Sequence, residues 1–228
     1  MIPKANKDAL NKSNYRPISL LETIYKIISK HFISLVEARA QQDPDFLPPN
    51  QYGFVRGRQM NVCSLSIFAT IEKLKKSFNP SFLLFLDIAS AFDKLLLPVI
   101  NMAINQIFPN SPLSHAIAAV THGGVARISA NNIVGPALPL TRGVGQGDPA
   151  SSTKFLLGHK IFSHCLEHAL KNDQQLKLFG YPTNQIANSN TSAILERDRT
   201  VGVHAYADDS VLTLTIPPPH IRPPPKLC

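Results

Sequence analysis

The chain has 228 residues, enough to bury a sizeable core, and this length fits one large domain or two small ones. Its net charge of +8 favours a polyanionic partner, either nucleic acid or an anionic membrane surface, and charge alone does not choose between them. The 3 cysteines form no Cys-x-x-Cys pair, which indicates an intracellular setting (nucleus or cytoplasm) without zinc or redox chemistry, and no apolar run reaches the roughly 20 residues of a membrane span.

The N-terminal region combines basic, irregular sequence with a helix. Residues 2–16 carry several cations, a pattern typical of a solvated arm as much as of a nucleic-acid contact. A helix is predicted from Ser19, where Ser19 and Glu22 match a capping box, to about Arg39. Clustered proline and aspartate then predict a loop at residues 43–50.

A basic, glycine-containing turn at residues 51–58 precedes a second predicted helix at 61–78, which we expect to turn Leu65 and Phe68 inward. An uninterrupted apolar run follows and ends in the carboxylate of Asp87. Such a run is typical of a strand covered on both faces. The sequence therefore places an acid where a buried sheet meets a cleft.

The middle of the chain contains further regular elements and a glycine motif. The pattern predicts helices at 99–108, 113–120 and 151–170 and a hairpin within 125–140. The glycines of 143–148 fit neither a Rossmann fingerprint nor a P-loop, because the third glycine comes one position early and no lysine is present. Surface histidines are a commoner explanation than zinc for His159, His164 and His168. Residues 171–200 are predicted to form a long loop.

Two runs of β-branched and aliphatic residues in 201–216 flank adjacent carboxylates, which predicts a hairpin with Asp208 and Asp209 at its tip. Taken alone, an Asp-Asp pair is more often a solvated turn. Two carboxylates about 4 Å apart repel by several kcal/mol at a dielectric of about 20, so a fold that keeps both ionised usually supplies a cation. Oxygen ligands of this kind suit Mg²⁺ or Mn²⁺.

The spacing of several motifs resembles that of a reverse transcriptase of non-LTR (LINE-like) retrotransposons. Residues Phe85–Asp93 look like the first palm motif, and Tyr206–Asp209 looks like the motif with the catalytic Asp pair. Between them, Arg142–Ser151 is similar to the substrate-binding motif of the same polymerases. Asn14–Leu21 and Gln51–Arg58 resemble fingers motifs, so the resemblance covers nearly the whole chain.

The resemblance implies an α+β, right-hand polymerase fold with an antiparallel palm sheet packed on helices. It implies a fingers-like region at 1–80 and a palm-like region at 81–216, with 171–200 as a loop or insertion. The proline-rich tail at 217–228 does not suit further palm strands or a thumb. We therefore expect a chain truncated after the Tyr-Ala-Asp-Asp motif, with the thumb missing.

The implied activity is RNA-directed DNA polymerisation by two-metal nucleotidyl transfer, with an RNA template, a DNA primer and deoxynucleoside triphosphates as partners and no membrane. The resemblance assigns catalysis to Asp87, Asp208 and Asp209, and these residues with the Ile88 carbonyl would hold two Mg²⁺ or Mn²⁺ ions. It assigns binding roles to a further set of residues. Nucleotide binding is assigned to Arg16, Phe92, Gln146 and Gly147, and nucleic-acid binding is assigned to Arg56, Arg58 and Tyr206.

Two other functions are compatible with the sequence. The chain departs from related elements at Ser90, where a basic residue is common, and at 151–155, where Ser-Pro and then Leu-Phe usually follow the glycine motif. Together with the missing thumb, these departures suit a catalytically inactive nucleic-acid-binding remnant. An RNA-dependent RNA polymerase is less well matched, because Phe92 corresponds to the aromatic that excludes a ribose 2′-hydroxyl; ordinary core packing also explains a phenylalanine there.

Overall fold

The computed structural model describes residues 2–3, 6, 8, 10–11, 14–16, 18–43, 45–76, 80–122, 124–130, 133–172, 177–178 and 202–216. The predicted tail at 217–228 and most of the predicted 171–200 loop lie outside these ranges. The chain folds as two units that interleave in sequence. The first unit comprises residues 1–49, 54–56 and 88–163, and the second comprises residues 50–53, 57–87 and 164–228.

The described residues contain both helices and strands. The helices are α1 (Thr23–Gln42), α2 (Met60–Leu74), α3 (Ala91–Lys94), α4 (Leu97–Ile107), α5 (Pro112–His122) and α6 (Ser151–Asn172). The strands are β1 (Ile2–Pro3), β2 (Tyr15–Arg16), β3 (Ser81–Asp87), β4 (Val125–Ala130), β5 (Ile133–Pro139), β6 (Lys177–Leu178), β7 (Val203–Tyr206) and β8 (Asp209–Thr215). In these described elements no helix has the length and apolar character needed to cross a membrane.

The core of the first unit is formed by apolar faces of α1, α4 and α5 and the first part of α6. Phe32 of α1 and Ile100 of α4 are fully buried there, and Leu157 of α6 is 1% exposed. Burying one such side chain contributes about 1.5–3 kcal/mol. The predicted β4–β5 hairpin is confirmed, with a register shift between Arg127 and Ser129.

The first helix begins later than predicted. α1 starts at Thr23, and Glu22 at its N-cap makes no side-chain capping bond, so the capping box predicted at Ser19 is wrong. Instead the Ser19 N–H donates to the carbonyl of Gln146 at 2.7 Å. A long-range backbone pairing has replaced the local capping that the sequence suggested.

The second unit is an antiparallel sheet packed on helices, as predicted. β8 is its central strand: β3 pairs along one edge, and β7 and β6 pair along the other. Leu166 and Leu170 of α6 pack against buried Leu212 and Leu214 of β8. On α2, the Thr70 hydroxyl lies 3.2 Å from Nε2 of buried His204 in β7.

Two burial predictions in this unit are wrong. Among the described strands β3 pairs with β8 alone, and Phe85 is 70% exposed, so the apolar run is not covered on both faces. Leu65 and Phe68 of α2 are 66% and 64% exposed, whereas Thr70 is buried. The α2 face that meets the sheet carries small and polar residues, which a search for large apolar spacing overlooks.

Candidate active site

A tight turn between β7 and β8 carries the adjacent aspartates. Tyr206 pairs with Asp209 across the hairpin, so Ala207 and Asp208 form a two-residue connection. Ala207 has φ of 56°, in the left-handed region that a residue with a Cβ rarely adopts. Positive φ at the first turn residue alone is the pattern of a II′ turn, whose twist suits antiparallel strands. The predicted hairpin with an acidic tip is confirmed.

The register of β3 brings a third aspartate to this tip. The two strands pair from Ser81 opposite Thr215 to Asp87 opposite Asp209. Residues directly opposite in an antiparallel pair share one face of the sheet, with Cβ atoms about 4.5–5.5 Å apart. Asp87 and Asp209 are both exposed and Asp208 is half-buried. The sheet therefore gathers three carboxylates at one end.

These carboxylates fit a divalent cation by charge and by donor type. Like charges opposite each other destabilise a strand pair, and a cation would offset that repulsion. Mg²⁺ typically takes one or two carboxylates and completes its shell with waters and substrate phosphates. Within the described residues no group of three or more His, Cys, Asp or Glu side chains is placed to hold a metal ion. Metal binding by Asp87, Asp208 and Asp209, with the Ile88 carbonyl, therefore stays a prediction.

The segment 50–53 lies beside β7, joined to Ala205 by two backbone hydrogen bonds of 2.8 Å each. The carboxamide of Gln51 is fully buried and hydrogen-bonds both backbone polar groups of Ala207 in the turn. Sequence reasoning interpreted residues 51–58 as a basic turn with nucleic-acid contacts at Arg56 and Arg58, and it missed this role of Gln51. The available signal was Gly53, since a glycine between two aromatic residues marks a close backbone approach.

Two residues predicted to contact nucleic acid also lie in the second unit. Tyr206 ends β7 and is 37% exposed. Arg58 is half-buried, and its Nη1 donates to the carbonyl of Gln51 at 2.7 Å. Burial lowers the pKa of Arg58 from its ordinary value, against the opposing influence of Tyr52. Arg58 thus braces the segment beside β7, and its contact with nucleic acid stays a prediction.

In the first unit, the glycine motif is held against residues 18–19. A Cβ at Gly145 would lie 2.6 Å from the Ser19 hydroxyl oxygen, and one at Gly147 would lie 2.6 Å from the Ser19 carbonyl oxygen. Gly147 also has φ of +114°, which L side chains rarely adopt. Ile18 forms a parallel bridge with Gln146. The glycines permit this close approach, and nucleotide binding by Gln146 and Gly147 stays a prediction.

The aspartate that follows the motif belongs to a buried polar network. Lys154 Nζ lies 2.8 Å from Asp148 Oδ2, and both side chains are 4% exposed. The Tyr25 hydroxyl donates to the same oxygen at 2.6 Å and accepts from Lys154 at 2.8 Å. The second oxygen, Oδ1, accepts the N–H of Ala150 at 2.9 Å before α6.

This network keeps both ionisable groups charged. Burial opposes the ionisation of Asp148, but the Lys154 ammonium and the hydrogen bonds outweigh it and hold the pKa of that carboxyl below its ordinary value. Burial likewise opposes the charge of Lys154, yet the Asp148 carboxylate raises the pKa of that amine. Sequence reasoning noted Lys154 only as a departure from the family pattern. A lysine within the apolar run of α6 is the signal that predicts a buried partner.

Phe92 lies in α3, near the end of the segment that resembles the first palm motif. Its ring centroid lies 5.4 Å from that of Phe155 in a stacked arrangement and 5.9 Å from that of Phe54 edge-on. The side chain is half-buried. The ring therefore takes part in core packing while part of it stays accessible, and its role in excluding a 2′-hydroxyl stays a prediction.

The remaining predicted binding residues are surface cations. Arg16 lies in β2 and is exposed. Arg56 Nη1 lies 3.4 Å from Glu37 Oε2, with the arginine side chain 76% exposed. An exposed ion pair of this kind contributes about 0–1 kcal/mol, so it does not tie up the guanidinium. Both arginines remain predicted phosphate contacts.

The histidines of α6 do not share one environment. His164 and His168 are exposed, as expected of surface histidines, but His159 is buried and that expectation is wrong for it. Its Nδ1 lies 3.2 Å from the Ser163 hydroxyl. Burial lowers the pKa of His159 from 6.5 to about 4, so the ring is neutral at physiological pH.

Comparison with known proteins gives matches in sequence and in fold. A family model described as reverse transcriptase (RNA-dependent DNA polymerase) matches residues 2–224. A probable RNA-directed DNA polymerase from transposon X-element of Drosophila melanogaster is 27% identical over 161 residues, which is 60% of this chain and 17% of that relative. The chain thus spans about a sixth of the curated relative it matches.

Solved telomerase structures from Candida tropicalis share the fold. The one in complex with a TWJ fragment of telomeric RNA has a TM-score of 0.52 at 10% identity and covers 92% of this chain and 32% of that chain. The apo telomerase has a TM-score of 0.50 at 8% identity and covers 83% of this chain and 31% of its own. At such identities the likeness shows the polymerase fold alone.

Proposed function

The chain belongs to the reverse transcriptase family, and from that membership we propose that it carries the nucleotidyl-transfer site of a retrotransposon RNA-directed DNA polymerase. The observation that carries the proposal is the register that sets Asp87 opposite Asp209, beside the Asp208 turn. Carboxylates gathered at one end of a sheet do not stabilise it, because they repel each other.

In the proposed reaction the 3′-hydroxyl oxygen of a DNA primer attacks the α-phosphorus of a deoxynucleoside triphosphate. A phosphodiester P–O bond forms, the bond to pyrophosphate breaks, and the hydroxyl proton is lost. Two Mg²⁺ or Mn²⁺ ions, when bound, would favour the ionised hydroxyl and neutralise the pyrophosphate. Asp87 and Asp208 would bind them with help from Asp209 and the Ile88 carbonyl; the strand register that pairs Asp87 with Asp209 supports this assignment.

An RNA template and a DNA primer are the proposed macromolecular partners, in keeping with the net charge of +8. Arg16 and Arg56 present exposed guanidinium groups, whose planar fork suits phosphate oxygens. Gln146 and Gly147 would contact the nucleotide. Phe92 would exclude a 2′-hydroxyl by its bulk, which selects deoxynucleotides.

Primer extension on an RNA template with Mg²⁺ and deoxynucleotides tests the proposal. We expect Asp87→Asn and Asp208→Asn each to reduce extension to background while salt-sensitive RNA binding persists. Glu72→Gln is the matched control, because Glu72 is an exposed acid in the same unit whose carboxylate pairs with the surface residue Lys75 at 2.6 Å. Its extension should equal that of the parent.

The outcomes separate the proposed function from its rivals. RNA binding without extension in every protein, the parent included, would identify a binding remnant and contradict the proposal. Extension that survives Asp87→Asn would also contradict it, because the proposal depends on that carboxylate as a metal ligand. A preference for ribonucleotides would indicate an RNA-dependent RNA polymerase instead.

A further inference from the structure

The Gln51 side chain holds the acidic turn through hydrogen bonds to its backbone. Its Nε2 donates to the Ala207 carbonyl at 2.9 Å, and its Oε1 accepts the Ala207 N–H at 2.8 Å. The same Oε1 accepts the Gly53 N–H at 2.9 Å. The whole Gln51 residue is 0% exposed. One carboxamide therefore pairs with both backbone polar groups of the residue that precedes Asp208.

Ala207 needs such a partner for two reasons. It is only 9% exposed, and the hairpin register pairs its neighbours, Tyr206 and Asp209, rather than Ala207 itself. Buried backbone N–H and C=O groups are costly when they are unpaired. Its φ of 56° is also unfavourable for a residue with a Cβ and persists only where the surroundings enforce it.

The segment that carries Gln51 is itself fixed against the hairpin. Two backbone hydrogen bonds of 2.8 Å join residues 50 and 52 to Ala205, and Arg58 holds the Gln51 carbonyl at 2.7 Å. A Cβ at Gly53 would overlap the backbone nitrogen of Ala207, so only glycine permits this approach. The backbone on both sides of Gln51 is thus fixed, and it holds the glutamine side chain against the turn.

We propose that Gln51 is a positioning residue for the metal-binding carboxylates: its carboxamide fixes the Ala207 peptide and thereby sets the direction in which Asp208 and Asp209 leave the turn. This inference rests on the proposed function for its consequence, but the contact itself is independent of catalysis. Groups that orient metal ligands typically change metal affinity 10–100-fold when removed.

The test uses the whole chain with two readouts, amide hydrogen exchange at Ala207 and Mn²⁺ binding followed by the electron paramagnetic resonance of free Mn²⁺. Gln51→Met keeps the side-chain volume and removes both hydrogen-bonding atoms. We expect the protection of the Ala207 amide to fall about tenfold, the equivalent of one lost hydrogen bond. We expect Mn²⁺ affinity to fall about tenfold or more.

Thr70→Val is the matched control, because it removes a buried hydrogen bond to β7 in the same unit without touching the turn. It should lower the global unfolding free energy. The protection of the Ala207 amide relative to neighbouring amides should stay unchanged, and so should the Mn²⁺ affinity. Gln51→Glu is the second variant: it retains the acceptor for the Ala207 N–H and loses the donor to the carbonyl, so Ala207 protection should fall less than in Gln51→Met.

Several results would overturn the inference. It fails if Ala207 protection in Gln51→Met stays within twofold of the parent, if protection falls while Mn²⁺ affinity does not, or if Thr70→Val weakens Mn²⁺ binding equally. A parent chain whose Mn²⁺ binding is insensitive to Asp87→Asn contradicts the proposed function instead. The exchange readout then still decides whether Gln51 fixes the turn.

Discussion

Replacing Lys154 with methionine should destabilise the first unit strongly. The substitution nearly preserves side-chain volume but removes the ammonium that lies 2.8 Å from Asp148 Oδ2, in a place where both side chains are 4% exposed. Asp148 would retain only the Tyr25 hydroxyl and the Ala150 N–H as hydrogen-bond donors among those the structure assigns to it. Its carboxylate would then be a buried charge without a counter-ion.

The expected loss is about 3–5 kcal/mol of unfolding free energy, the usual cost of removing one partner of a buried ion pair. That cost reflects the charge left behind rather than the net contribution of the pair, so neutralising both groups should cost much less. Asp148→Asn keeps an acceptor for the Ala150 N–H and offers an amide to Tyr25. We therefore expect the Lys154→Met/Asp148→Asn double variant to be more stable than Lys154→Met alone.

Urea unfolding of the parent, both single variants and the double variant measures this coupling as a double-mutant cycle. The difference between the parent and Lys154→Met should also narrow as the pH falls from 7 towards 4. In the parent the pKa of Asp148 is depressed, so its contribution is present above the unfolded pKa and lost only as the pH falls through the folded value. In the variant burial raises that pKa, so protonation stabilises the folded state. Two results would refute the reasoning: a loss of unfolding free energy below about 1 kcal/mol in Lys154→Met, or a loss in the double variant that equals the sum of the two single losses within about 0.5 kcal/mol.

Three other outcomes are expected from the first unit. Burial lowers the pKa of His159 from 6.5 to about 4, so its contribution to the unfolding free energy should be fully present above pH 6.5 and should fall by roughly 3 kcal/mol as the pH drops towards 4. His159→Phe should remove this pH dependence in acid unfolding. Gly145→Ala should lower the urea midpoint and be largely rescued by Ser19→Gly, since its Cβ meets the Ser19 side chain. Gly147→Ala should not be rescued by the same change, since its Cβ meets the Ser19 carbonyl and its φ is +114°; equal rescue of both would contradict this account.

The predictable parts of the site are those whose structure is determined by residues close together in sequence. The β7–β8 hairpin could be predicted from two β-branched runs around an acidic turn, because alternation and turn chemistry act over a few residues. The strand ending at Asp87 was recognised from its apolar run, and the order of the motifs pointed to one family. Local patterns do not show which strands will pair: among the described strands β3 pairs only with β8. Its predicted burial was therefore wrong, although its position and its terminal acid were right.

The features that were missed depend on contacts between residues distant in sequence. Gln51 and Ala207 are joined by two hydrogen bonds across 156 positions, and Tyr25 and Asp148 by one across 123. Neither pair could be found from sequence periodicity, because a single buried polar residue is not part of a repeating pattern. The capping box at Ser19 failed for the same reason, since a distant backbone pairing decided the local conformation.

The tip of the β7–β8 hairpin concentrates three terms that oppose folding of the second unit. Like charges face each other at Asp87 and Asp209, Ala207 has positive φ, and the buried peptide groups of Ala207 lie outside the strand register. The Gln51 carboxamide pairs with the Ala207 peptide groups and so enforces the positive φ of Ala207. The ion pairs among the described residues, in contrast, do not include Asp87, Asp208 or Asp209. The repulsion therefore persists until a cation binds, so Mg²⁺ should raise the unfolding free energy of the parent by mass action and leave Asp87→Asn nearly unaffected. Urea unfolding with Mg²⁺ and with EDTA measures that difference, and an equal response of both proteins would place the bound ion elsewhere.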